Sequence, residues 1–113
     1  MVVDDDPGVR ALCSALLSQW GHSVIQAHDG RHALDLLSST PVDGVLLDIE
    51  MPGFRGDEVL AVLARERPSL PVVVMSSEDA DVYRRVMALG AKAFIAKPFR
   101  ARDLQAGLSR MLA

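Results

Sequence analysis

The stretch Val45-Leu46-Leu47-Asp48-Ile49-Glu50-Met51-Pro52-Gly53 carries an apolar run into a carboxylate and then into a Pro-Gly turn. A short continuous apolar run bounded by turn residues reads as a strand buried on both faces. In an open α/β sheet, ligands bind at the carboxyl ends of the strands, and Asp48 stands at such an end. Other apolar runs finish in a similar way. Met1-Val2-Val3 leads into Asp4-Asp5-Asp6, Val72-Val73-Val74-Met75 into Ser76-Ser77, and Ala93-Phe94-Ile95-Ala96 into Lys97-Pro98. One rim thus gathers carboxylates, a hydroxyl and a lysine. That set suits a site handling Mg²⁺ and a phosphoryl group.

Stretches of helical period alternate with these runs. Val9, Leu12, Leu16 and Trp20 recur at helix spacing between Pro7 and the stop signal Gly21. Val24-Ile25-Gln26-Ala27 is a short strand, and Ala33, Leu34 and Leu37 mark a second helix. Val59, Leu60 and Leu63 define a third helix ending before Pro68, and Val82, Val86 and Leu89 a fourth stopped by Gly90. Leu104, Leu108 and Met111 mark the last helix. Five βα units of this kind predict a parallel sheet covered by helices on both faces. Three residues before Asp4 are few for an interior strand, where ~5–6 is usual, so the first strand reads as truncated.

At 113 residues the chain fits one domain spanning 1–113, with no second, output domain inside it. Its net charge of −3 argues against direct nucleic-acid binding. No apolar stretch approaches the ~20 residues of a membrane span, and Met1-Val2-Val3-Asp4 lacks the pattern of a signal peptide. Cys13 is the single cysteine, so no internal disulfide forms, and it reads as a passive packing residue. A reducing cytoplasm fits that usage.

Asp5 and Asp48 can supply carboxylates to Mg²⁺, which takes oxygen ligands and keeps several waters. Two like charges ~4 Å apart repel by about 4 kcal/mol at an effective dielectric of 20, and a divalent ion with Lys97 would offset that cost. Asp6 doubles as a helix cap. His22, His28 and His32 lack metal-ligand partners apart from Asp29 and read as surface residues.

In this order and spacing, Val3-Asp4-Asp5-Asp6-Pro7, Leu46 to Gly53 with Gly56, Pro71 to Ser76, Gly90-Ala91 and Lys97-Pro98-Phe99 resemble the receiver domain of two-component response regulators. The resemblance covers essentially the whole chain. It implies a flavodoxin-like fold of strand order 2-1-3-4-5. It also implies a cytoplasmic module that takes a phosphoryl group from a sensor histidine kinase or phosphotransfer protein and modifies itself without turning over a free substrate. Asp48 matches the phospho-accepting residue and Asp5 the direct Mg²⁺ ligand, with Asp4 acting through water and Glu50 through its backbone carbonyl. Ser76 matches the switch hydroxyl, Lys97 the lysine that pairs with phosphoryl oxygens and Phe94 the aromatic switch, with a cis bond before Pro98. Glu50 and Glu78 match positions bordering the path of the hydrolytic water. Ser76 to Gly90 is one residue shorter than the family's spacing, which leaves Ser77 as an alternative hydroxyl. Spacing from Pro71 favours Ser76.

A haloacid-dehalogenase-like phosphatase also places acids two residues apart after its first strand, as Asp4 and Asp6 are. It would leave Asp48 without a role and would want a further acidic pair late in the chain. A partner-binding domain without phosphorylation should lack one of these groups, and a flavodoxin would want a phosphate loop where the acids stand. The fourth helix carries a second stripe, Tyr83 and Met87, beside its core stripe. With Phe94 this stripe marks the fourth helix, fifth strand and fifth helix as a face for a partner or a homodimer.

Overall fold

A computed structural model describes residues 1–112. Strands β1 (Val2–Val3), β2 (Gln26–Ala27), β3 (Val45–Asp48), β4 (Val72–Ser76) and β5 (Ala93–Ala96) alternate with helices α1 (Pro7–Gln19), α2 (Gly30–Leu37), α3 (Gly56–Glu66), α4 (Ala80–Ala88) and α5 (Ala101–Leu112). All strand pairs are parallel, and the sheet order is β2-β1-β3-β4-β5. The chain therefore has the doubly wound architecture that its alternating runs imply.

Period-two alternation divides the core into two layers. Val3, Val45, Leu47, Val72 and Val74 face one side with Ala33, Leu37, Val59, Leu60, Leu63, Val82 and Val86 of α2, α3 and α4. Val2, Leu46, Val73, Met75 and Ile95 face the other, with Cys13 and Leu17 of α1 and Leu104, Leu108 and Met111 of α5. Burial of both faces explains why these strands read as unbroken apolar runs.

Two details differ from the periodic reading. β2 comprises only Gln26 and Ala27, because they pair with Val2 and Val3, which make up β1. The carbonyl of Ile25 still accepts a bond from the Val2 N–H at 2.8 Å. On α1 the fully buried residues are Cys13 and Leu17, while Leu12 is 50% exposed. The Val9, Leu12, Leu16 and Trp20 stripe lies to the side of the face that meets the sheet.

Candidate functional site

Parallel strands deliver their carboxyl ends to one edge, and that edge holds the acids, the hydroxyl and the lysine. Asp4 follows β1, Asp48 ends β3, Ser76 ends β4 and Lys97 follows β5. Asp4 and Asp48 are buried, at 0% and 1% exposure, and Asp5 is exposed. The Lys97 ammonium donates to Asp4 Oδ2 at 2.9 Å and to Asp48 Oδ1 at 3.0 Å. One cation thus serves two buried carboxylates. Lys97 is fixed in turn by its N–H, which bonds the Ser76 carbonyl at 2.9 Å, and the Lys97–Pro98 peptide is cis.

Burial pushes the Asp48 carboxyl up to about 7; Asp4 and Glu50 add to the rise, and the Lys97 ammonium opposes it. Burial also works to discharge Lys97, but its bonds to Asp4 and Asp48 outweigh that and raise its pKa. The Glu50 N–H also bonds Asp48 Oδ1, at 3.3 Å. Among the described residues no protein donor reaches Asp48 Oδ2.

The acids after β1 take separate roles. Asp4 Oδ1 accepts the Asp6 N–H at 2.9 Å, and the Asp4 carbonyl accepts from Arg10 at 2.7 Å. Asp6 turns the other way and caps α1, accepting from the N–H groups of Gly8 and Val9. That use of Asp6 removes the second acid on which the phosphatase alternative relied. Carboxylate oxygens of Asp4, Asp5 and Asp48 lie within 4.8 Å of one another. Three acidic side chains against one lysine leave an excess of negative charge, all on hard oxygen donors. These residues fit a Mg²⁺ ion, with Asp5 the member most open to solvent.

Glu50 does more than the sequence suggests. Its side chain reaches the end of β4, where Oε2 accepts from the Ser76 hydroxyl at 2.7 Å. Oε1 accepts from both the N–H and the hydroxyl of Ser77, at 2.6 and 2.5 Å. Partial burial works against the carboxylate, but these three donors win and hold its pKa below the ordinary value. Ser76 is buried and Ser77 exposed. The Ser76 oxygen also accepts the Glu78 N–H at 2.9 Å. The Glu78 side chain pairs with Arg55 at 3.1 Å, and Arg55 also bonds Asp57, which pairs with Arg85 of α4. The bond from Arg55 to Glu78 spans 23 positions of chain, so no local sequence signal marks it.

Phe94 lies on β5, away from the acids, and packs against the α2–α3–α4 core layer. Its ring meets Tyr83 edge-on, with centroids 5.5 Å apart. Tyr83 is 48% exposed and Met87 half-buried, so the second stripe of α4 is open to solvent mainly at Tyr83. His28 and His32 stack at 4.2 Å beside Asp29, which caps α2. Among the described residues they join no cluster of metal-ligating groups. No helix of the described residues is long and apolar enough to cross a membrane.

A sheet of this order, with acids and a lysine converging at its carboxyl edge, defines a phosphoryl-handling α/β module. The chain belongs to the response regulator receiver domain family, which matches residues 1–109. It is 41% identical over 114 aligned positions to the response regulator MprA of Mycolicibacterium vanbaalenii, covering 99% of this chain and 49% of that protein. It is 38% identical to the transcriptional regulatory protein TcrA of Mycobacterium tuberculosis, covering 96% of this chain and 43% of TcrA. The chain thus spans about half the length of these curated relatives. Among solved structures, the receiver domain of NtrX from Brucella abortus superposes with a TM-score of 0.90 at 33% identity, covering 98% of this chain and 95% of that one. The chemotaxis protein CheY4 of Vibrio cholerae superposes at 0.89 with 27% identity, covering 97% and 94%. The general function of the family is to accept a phosphoryl group from a kinase on an aspartate.

Proposed function

We propose that Asp48 is the phospho-acceptor of this domain, with Oδ2 as the attacking oxygen. The observation that carries the reading is the convergence of Asp4, Asp5, Asp48 and Lys97 on one strand edge, where the Asp48 carboxylate takes two protein donors on Oδ1 and, among the described residues, none on Oδ2. Oδ2 attacks the phosphorus of a partner phosphohistidine, the N–P bond breaks, and the imidazole leaves with the electron pair. Lys97 holds the carboxylate in place and lies beside the position of the incoming oxygens. Ser76 supplies a hydroxyl from the neighbouring strand. Asp5 and Asp48, with the Glu50 carbonyl and Asp4 through water, would hold Mg²⁺, which when bound supplies charge neutralisation.

The partner is a sensor histidine kinase or phosphotransfer protein, and the reaction is self-modification followed by self-hydrolysis rather than turnover of a free substrate. Glu50 and Glu78 border the approach of the hydrolytic water and set the lifetime of the phosphoryl group. The output face is α4, β5 and α5, where Tyr83, Met87 and Phe94 meet a partner or a second copy. The domain works in the cytoplasm, and an output function lies elsewhere in its protein, as the name of TcrA suggests for that relative. Acetyl phosphate with Mg²⁺ tests the assignment. Intact mass should show one added phosphoryl group, and Asp48→Asn should abolish it. Stoichiometric labelling of that variant would overturn the reading.

A further inference from the structure

We propose that the Glu50 carboxylate is a built-in competitor for the phosphoryl group: it occupies the donors of Ser76 and Ser77 in the resting domain and must be displaced on activation. The inference rests on the reading of Asp48 as acceptor and of Ser76 as the hydroxyl that meets the phosphoryl oxygens.

A serine hydroxyl has one proton to donate. At Ser76 that proton points to Glu50 Oε2 at 2.7 Å, while the oxygen accepts the Glu78 N–H at 2.9 Å. The only proton of the hydroxyl is therefore committed, and no donor is left for an anion on Asp48. Ser77 is engaged in the same way, with both its N–H and its hydroxyl directed at Glu50 Oε1. A single anionic side chain thus takes three donors at the carboxyl end of β4, the kind of group a phosphoryl oxygen would use. Arg55 is bonded to Glu78 at 3.1 Å, so the segment after β4 is tied a second time to the segment after β3. Activation is therefore an exchange of one anion for another at the same hydroxyl, with resting and active arrangements in equilibrium.

Shortening the latch separates competition from simple repulsion. Glu50→Asp keeps the negative charge but removes the methylene needed to span to Ser76 and Ser77, and Glu50→Ala removes both. The probe is beryllofluoride with Mg²⁺, titrated by calorimetry against the wild type and both variants. Both variants should bind about tenfold more tightly, the equivalent of one charge-assisted hydrogen bond no longer broken on binding. In the metal-free proteins, hydrogen exchange at the Ser77 amide should be faster than in the wild type. If Glu50→Ala tightens binding while Glu50→Asp matches the wild type, charge repulsion accounts for the effect and the latch is refuted. Unchanged affinity in both variants, or unchanged exchange at Ser77, also refutes it. A wild type that takes up no beryllofluoride overturns the acceptor reading itself, whereas a wild type that binds alongside unaltered variants overturns only the latch.

Discussion

A β-carbon on Gly56 would stand 2.0 Å from the carbonyl oxygen of Asp48. The first turn of α3 therefore lies against the backbone of Asp48, and nothing but hydrogen fits between them. The clash is with main chain on both sides, so no rotamer change relieves it. Gly56→Ala should cost about 3 kcal/mol or more, at or beyond the upper end for overpacking. Gly107→Ala is the control, since its β-carbon would meet the movable end of Ile95 at 2.7 Å. Chemical denaturation should show a much larger loss for Gly56→Ala than for Gly107→Ala. Equal losses would mean that the backbone approach at Asp48 relaxes freely.

Burial of Asp48 gives stability a definite pH dependence. Its carboxyl is pushed from the ordinary 3.8 up to about 7. Between those values the folded chain keeps a proton that the unfolded chain has lost, so stability falls as pH rises through that window and levels above it. Asp48→Asn removes the ionisation. In Mg²⁺-free buffer it should melt several degrees higher than the wild type at pH 8, at roughly 4–8 °C per kcal/mol. The gap should close towards pH 4. A gap of constant size across that range would show that Asp48 ionisation carries no stability cost.

Asp5 and Asp6 are adjacent acids with separable effects. Mg²⁺ binding to the native state raises stability by mass action, so added Mg²⁺ should raise the melting temperature of the wild type. Asp5→Asn should lose that response. Asp6→Ala should keep it while losing about 1 kcal/mol of baseline stability, because Asp6 bonds the first turn of α1. Thermal melts with and without Mg²⁺ distinguish the two. An intact metal response in Asp5→Asn would move the ligand role to another acid.

Tyr83 and Phe94 meet edge-on at the α4–β5 face, a contact worth roughly 0.5–1.5 kcal/mol beyond burial. Phosphorylation should alter self-association of the domain, read by analytical ultracentrifugation with and without beryllofluoride. Met87→Ala and Phe94→Ala should each reduce that difference several-fold. A difference of undiminished size in both would place the readout on another face.

Much of this was legible in residues 45–53 and their counterparts, because a strand buried on both faces has to be apolar throughout and the chain turns to polar residues only at its ends. The edge on which Asp4, Asp48, Ser76 and Lys97 converge follows from parallel strands alone. The α1 face was harder to read. Leu12, Cys13, Leu16 and Leu17 form two overlapping stripes at helix spacing, and periodicity cannot say which one meets the sheet. Contact geometry decides for Cys13 and Leu17. The reach of Glu50 to Ser76 and Ser77, and of Arg55 to Glu78, depends on how two loops sit beside each other. Residue spacing carries no record of that.

Lys97 meets Asp4 across 93 positions of chain and Asp48 across 49. Synthesis runs from the N-terminus, so both buried acids leave the ribosome before their common counter-ion has been made. A nascent chain that docked β3 against β1 early would bring Asp4 and Asp48 together uncompensated. Long-range closure of this sort is slow and comes late in folding. The pairing around Asp48 is therefore complete only once β5 has been made and seated, and a truncated product lacking β5 would leave both buried acids without their shared cation.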